Sequence, residues 1–291
     1  MKILVYTPSF YPRVGGIELN VERLSRQFVQ LGHEVKLACT TKIEPKKEIE
    51  RKLEFSVIRY PSFSSLLRLI EWCDVFWCPC ISLKIIWLPL FLVRRPIVAS
   101  HHTWYRRTNG KRGWQDWLKC LITFGTKNIS ISQSIADDIP APSEIIENSY
   151  NTDLFHKIPE VSRDRDLVFL GRLVSDKGVD LLLESLHLLK EEKLSPNLTV
   201  IGSGSEENNL KKQAEKLGLA NQVSFVGQKA GIDLLKNLNS HQIMVVPSRW
   251  PEPFGVVALE GIASGCVIVG SEQGGLKSAI GSCGMTFPNG D

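Results

Sequence analysis

From Ile3 to Val269, short runs rich in Val, Ile and Leu alternate with longer stretches in which apolar residues recur every three or four positions. Parallel strands need long crossover connections, usually helices, so this alternation predicts βαβ units and α/β domains with parallel sheets. In the first half the spacing predicts strands near Ile3–Thr7, Glu34–Cys39, Phe55–Tyr60, Val75–Cys78, Ile97–His101 and Asn128–Ile131. Helical patterns fall at Gly16–Leu31, Ser64–Glu71, Leu83–Leu92 and Trp114–Phe124. In the second half, strands are expected near Leu167–Gly171, Leu198–Gly202, Val223–Val226, Ile243–Val246 and Val267–Val269. Helices are expected there at Lys177–Lys190, Glu206–Leu217, Ile232–Leu238 and Gly255–Ser264.

A chain of 291 residues suits two such domains. Residues 156–166 contain Pro159, several charges and few apolar side chains, so they read as a linker between a 1–155 domain and a 167–291 domain. Two doubly wound domains joined this way are expected to bind ligand beyond the carboxyl ends of their strands.

Charge is uneven. Residues 1–160 hold 22 Lys+Arg against 16 Asp+Glu, whereas the remainder holds 13 against 15. A basic first half suits an anionic partner, although functionless surface charge explains it as well. Met1-Lys2 runs straight into an apolar strand, a pattern from which no secretory leader is expected. The longest apolar stretch, Ile81–Val93, is interrupted by Lys84 and Pro89 and falls short of the ~20 residues of a membrane span. Seven cysteines without framework spacing predict reduced thiols and a cytoplasmic location.

Several constellations can carry chemistry. Gly171-Arg172-Leu173-Val174-Ser175-Asp176-Lys177-Gly178 follows a predicted strand and opens a helix. Ser175 or Asp176 is positioned to cap that helix, and Arg172 and Lys177 can compensate a diphosphate without a metal. Two surface cations at a turn are the plain alternative. Glu252-Pro253-Phe254-Gly255-Val256-Val257-Ala258-Leu259-Glu260 places one carboxylate before a helix and another inside it, where both can accept from sugar or ribose hydroxyls. Gly15-Gly16 starts the first helix and lets backbone approach a ligand.

Gly202-Ser203-Gly204 lacks the third glycine of a dinucleotide fingerprint and reads as a tight turn, which disfavours an oxidoreductase. His101-His102 close a strand and point to opposite faces, a poor arrangement for chelation. Cys73, Cys78 and Cys80 lack metal-ligand spacing, and Asp164-Arg165-Asp166 sits in the expected linker, so no metal site is predicted. No nucleic-acid motif is present.

Taken in order, these segments resemble the retaining glycosyltransferases of the GT-B fold, family 4 type. The resemblance runs through Gly15-Gly16-Ile17-Glu18, Leu31-Gly32-His33-Glu34-Val35, Ser130-Ile131-Ser132-Gln133-Ser134, Asn148–Phe155, Gly171–Gly178 and Val200–Gly204. Its strongest part is Pro247-Ser248, Glu252–Glu260 and Gly274-Gly275. It implies two Rossmann-like domains and transfer of a sugar from a nucleotide diphosphate sugar to an acceptor hydroxyl with retention. Under it, Arg172 and Lys177 hold the diphosphate, Glu252 contacts the transferred sugar and Glu260 binds the ribose. The backbone at Phe254, Gly255 and Val256 approaches sugar and phosphates, as does Gly16.

His102 matches the family's active-site histidine, with His101 as the fallback. Ser149, Asn151 and Gly261 depart from the usual pattern, and members ordinarily continue past the point where this sequence ends, which implies an incomplete second domain. A binding module that holds nucleotide sugar without transferring it is therefore the rival reading. The resemblance implies surface polysaccharide or glycolipid assembly. The apolar Ile81–Val93, the cations Arg94, Arg95, Arg106, Arg107, Lys111 and Arg112, and Trp104, Trp114 and Trp117 suit peripheral contact with anionic lipid at the inner face of the cell membrane.

Overall fold

In a computed structural model of the chain, residues 1–13, 15–42, 52–107 and 110–291 are described, and they divide into two compact units, Met1–Asn148 and Ser149–Asp291. The first unit is built on a parallel sheet of β1 (Lys2–Thr7), β2 (Glu34–Cys39), β3 (Ser56–Arg59), β4 (Val75–Cys78), β5 (Ile97–His101), β6 (Lys127–Ser130) and β7 (Ser143–Ile145). Its spatial order is β3-β2-β1-β4-β5-β6-β7, and every pairing is parallel. Among the described residues its helices are α1 (Gly16–Gln30), α2 (Phe63–Trp72), α3 (Trp114–Ile122) and the single turn α4 (Gln133–Ala136).

Both faces of this sheet are covered, which is why its strands read as near-continuous apolar runs. Leu4 and Tyr6 pack with Leu66, Leu69 and Ile70 of α2, while Ile3 and Val5 pack with Val21 of α1 on the other face. Each fully buried side chain of this kind stabilises by roughly 1.5–3 kcal/mol.

The second unit repeats the plan with β8 (Arg165–Leu170), β9 (Leu198–Ile201), β10 (Val223–Phe225), β11 (His241–Val246), β12 (Val267–Ser271) and β13 (Gly284–Phe287), ordered β10-β9-β8-β11-β12-β13 and parallel throughout. Helices α5 (Val179–Glu191) and α6 (Glu207–Lys216) cover Phe169, Val200 and Val245 on one face. On the other, α7 (Gly231–Asn239), α8 (Val256–Ala263) and α9 (Leu276–Ile280) cover Val168, Met244 and Ile268. Both sheets are thus doubly wound, as expected.

Two readings differ from the structure. The units divide at Asn148–Ser149, and the stretch expected as a linker is packed into the second unit. Phe155 is buried there, the buried Asn239 accepts from Ile158 N at 2.7 Å and donates to His156 O at 3.0 Å, and β8 already begins at Arg165. The helix expected over Leu83–Leu92 shrinks to one π-helical turn at Leu88–Leu92, because Pro89 offers no N–H and blocks a regular helix. In addition, β7, α4 and α9 are too short to leave a periodic signal.

Candidate functional site

In the second unit, strand order reverses between β8 and β11, which pair through Ile243↔Leu167 and Met244↔Val168. The loops leaving the carboxyl ends of neighbouring strands at such a switch point form the usual ligand crevice of an open parallel sheet. The loop after β8 carries Arg172 and Lys177, and the loop after β11 carries Glu252.

The two loops are joined through their main chains. Arg249 N and Trp250 N donate to Asp176 O at 2.9 and 3.4 Å. Gly178 adopts φ +68°, and a Cβ there would stand 1.9 Å from Pro247 O, so only glycine lets the loops approach this closely. The outcome is a defined contact. Lys177 Nζ lies 2.6 Å from Glu252 Oε1, and Ser248 Oγ donates to that same oxygen at 2.5 Å. Both charged groups are part-buried, whereas Arg172 is exposed at the start of its loop. Neither Ser175 nor Asp176 caps α5: Ser175–Lys177 form a 3₁₀ turn, Gly178 takes the cap position, and the helix begins at Val179. Lys177 therefore precedes the helix and is aimed by the turn.

Glu252 is fixed at its backbone too, where its carbonyl accepts from Gly275 N at 2.7 Å and its residue bridges to Gly274. Phe254 is buried and anchors the turn, and Gly255, in the left-handed region at φ +101°, caps α8. The first amides of α8, at Val256 and Val257, have no intrahelical acceptor. Glu260 lies one turn beyond Val256 on the same side of that helix. Gly261 belongs here for packing reasons, since a Cβ would meet Met244 Sδ at 2.8 Å and Ile268 Cδ1 at 3.0 Å.

The Gly202–Gly204 turn is a backbone prop: Leu173 N donates to Ser203 O at 3.0 Å and Glu206 N to Leu173 O at 3.0 Å, steadying the Arg172 loop from beside it. Ser248 was not singled out from the sequence as a partner of Glu252. Its four-residue separation across a loop carries no periodic signal.

The remaining site residues lie in the first unit. Gly16 opens α1, and nothing stands within 4 Å of where its Cβ would be, so packing does not require glycine there. His101 is fully buried with both ring nitrogens engaged, Nδ1 by Tyr105 Oη at 2.8 Å and Nε2 by Asn128 Oδ1 at 3.0 Å. That makes it a structural residue. His102 is 8% exposed; its Nε2 meets Ser100 Oγ at 3.1 Å, and its Nδ1 is buried without a partner among the described residues. Ser100 Oγ already accepts from Trp77 Nε1 at 2.9 Å and can donate to Nε2, an arrangement that puts the His102 proton on Nδ1.

Burial, and then the neighbouring His101, push the His102 pKa down to about 4. The unfolded chain, with an ordinary value near 6.5, binds the extra proton first. Stability is thus unaffected by His102 above pH 6.5 and falls as pH drops from 6.5 to about 4, by about 3 kcal/mol in all. His102→Gln should remove that share of the acid-side slope in urea unfolding followed across this window. His101 and His241, also shifted down by burial, keep part of the slope.

Among the described residues, no three His, Cys, Asp or Glu side chains are grouped to hold a metal. Asp166 Oδ2 instead accepts from Asn197 N at 2.8 Å, and Cys73 and Cys78 are buried, with burial pushing the Cys73 thiol up to about 11. No helix of the described residues is long and apolar enough to cross a membrane.

Two parallel doubly wound units, one with a cation and a carboxylate held together at its switch point, match the two-domain plan of the GT-B glycosyltransferases. The comparisons agree. Residues 14–154 match the family model described as Glycosyltransferase Family 4, and residues 151–287 match the model described as Glycosyl transferases group 1. An uncharacterised glycosyltransferase of Methanocaldococcus jannaschii is 27% identical over 96% of this chain and 83% of its own length. Glycogen synthase of Mycobacterium tuberculosis is 36% identical over 40% of this chain, a match spanning 28% of that enzyme. HepE of Anabaena, solved in complex with UDP and glucose, superposes with a TM-score of 0.81 at 20% identity, covering 100% of this chain and 86% of HepE. The chain belongs to the GT-B glycosyltransferases of the family 4 type.

Proposed function

We propose that the chain transfers a sugar from a nucleotide diphosphate sugar to an acceptor hydroxyl with retention of anomeric configuration. The observation that carries this reading is the Lys177–Glu252 contact at the switch point of the second sheet. Lys177 and Arg172 neutralise the diphosphate as it leaves, so charge that grows in the transition state meets cations already in place, with no metal required. Glu252, its Oε1 held by Ser248, receives a sugar hydroxyl when Lys177 turns to phosphate. Glu260 takes the ribose hydroxyls, and the amides around Phe254, Gly255 and Val256 face the phosphates. The family resemblance supports a part for His102 at the sugar and for Gly16 at the donor phosphates.

The crystal complex of HepE with UDP-glucose supports a nucleotide sugar as donor. WaaG, a structural neighbour at 16% identity involved in lipopolysaccharide biosynthesis, is in keeping with a surface-glycan or lipid-linked acceptor, which we place at the inner face of the cell membrane as part of this proposal. The rival reading, a module that binds nucleotide sugar without transferring it, differs in a single measurable respect. A thermal-shift screen of nucleotide diphosphate sugars should reveal one donor that raises the melting temperature, by about 2.7 kcal/mol of added stability at a hundred times its Kd. Donor hydrolysis or transfer by the same sample supports the enzyme; binding without either supports the module. If no nucleotide sugar shifts the melt, both readings fail.

A further inference from the structure

The surplus positive charge and a run of strongly exposed apolar side chains fall on one stretch of the first unit. From Lys84 to Lys127 there are nine Lys and Arg residues and one acidic residue, Asp116. This stretch alone exceeds the +4 net charge of the whole chain. Within it, α3 is turned the wrong way out. Trp114 is 70% exposed and Leu121 66%, with Trp117 and Leu118 exposed between them, while Asp116 and Lys119 are half-buried and Cys120 faces the core. Phe124 continues the stripe one turn further. The neighbouring π-helical turn extends it, since Leu90 lies against Gly125 and presents the 76% exposed Phe91 beside it.

An amphipathic helix on a globular unit ordinarily turns its apolar stripe to the core. Exposed apolar surface on this scale marks an interaction site. The charge around it selects the partner. Arg107 and Lys111 stand exposed just before α3, whereas Arg106 and Arg112 pair with the buried Asp138 at 3.0 and 3.1 Å, and Asp116 accepts from Gly113 N at 2.9 Å.

We propose that this face docks on an anionic phospholipid bilayer. The indole and phenyl rings enter the headgroup–acyl boundary, and the cations meet lipid phosphates. Pairing of two copies through this face would set like charges against each other. A single-stranded nucleic acid would use aromatic platforms but has no use for the aliphatic Leu118 and Leu121. The proposal gives the lipid-linked acceptor reading a surface on which to meet its substrate, and it can be tested apart from that reading because vesicle binding needs no donor.

The test is cosedimentation of the whole chain with vesicles of equal phosphatidylglycerol and phosphatidylcholine, against phosphatidylcholine alone, at low and high salt. Binding to the anionic vesicles alone, weakened by salt and accompanied by a blue shift of tryptophan emission, is expected. Trp114→Ser with Leu121→Ser should weaken it about tenfold or more, and Arg107→Glu with Lys111→Glu comparably, with melting temperature and donor-induced shift retained. No binding at low salt, or binding indifferent to both pairs of substitutions, overturns the proposal. So does self-association abolished by the serine pair, or displacement of vesicles by a single-stranded oligonucleotide. Vesicle binding that persists in a chain without transferase activity would remove the acceptor reading and leave the docking face standing.

Discussion

Replacing Lys177 with alanine is expected to lower turnover of the cognate nucleotide sugar about a hundredfold or more while leaving the fold in place. The ammonium is the charge nearest the carboxylate at the switch point, 2.6 Å from Glu252 Oε1. Its loop is fixed by main-chain bonds from Arg249 and Trp250 to Asp176 O, which do not involve the side chain. Glu252 keeps its bond from Ser248 Oγ, so the carboxylate is not stranded. The lost interaction is then the one with a leaving group whose charge rises along the reaction, and kcat should fall more than KM rises. Arg172→Ala should act in the same direction. Steady-state kinetics beside melting curves check this; unchanged turnover in both variants would sink the diphosphate assignment.

Gly178→Ala should destabilise the chain by about 2–4 kcal/mol and abolish the donor-induced thermal shift. Two costs add at this position. The backbone lies in the left-handed region, and the new methyl would occupy space filled by Pro247 O, a rigid main-chain atom. Relief requires the β8 and β11 loops to separate, which takes Lys177 away from Glu252. Gly16→Ala is the control. Open space surrounds that position, and alanine favours a helix start over glycine, so stability should hold or rise by up to about 1 kcal/mol. A fall in donor affinity there without loss of stability would support the role given to Gly16. Urea unfolding and donor titration on both variants separate a structural glycine from a ligand-facing one.

The architecture was legible because a parallel sheet covered on both faces writes its strands as plain apolar runs, such as Ile3-Leu4-Val5 and Met244-Val245-Val246. What escaped were elements without periodicity, the three-residue β7 and the short α9, and the effect of a single proline on Leu83–Leu92. Residues 156–166 misled through composition: charged and proline-bearing, they are nonetheless held by Asn239, a buried polar partner more than seventy residues away. Lys177 was readable as a cation at a helix start and Glu252 as a carboxylate in a loop. Their contact was not, because it depends on β8 and β11 being neighbours although β9 and β10 intervene in sequence. The same holds for His101 and His102, told apart only by Tyr105 and Asn128 engaging one of them.

The main-chain bonds between the β8 and β11 loops also bear on how such a chain can diversify. Arg172, Lys177, Ser248, Glu252 and Glu260 all belong to one compact unit, while α3 and its outward apolar face belong to the other. A drifting population of sequences can therefore exchange the surface that chooses a setting without disturbing the loops that grip a leaving group. Chimeras that keep residues 149–291 and borrow a different first unit would be expected to inherit the old currency and acquire a new customer.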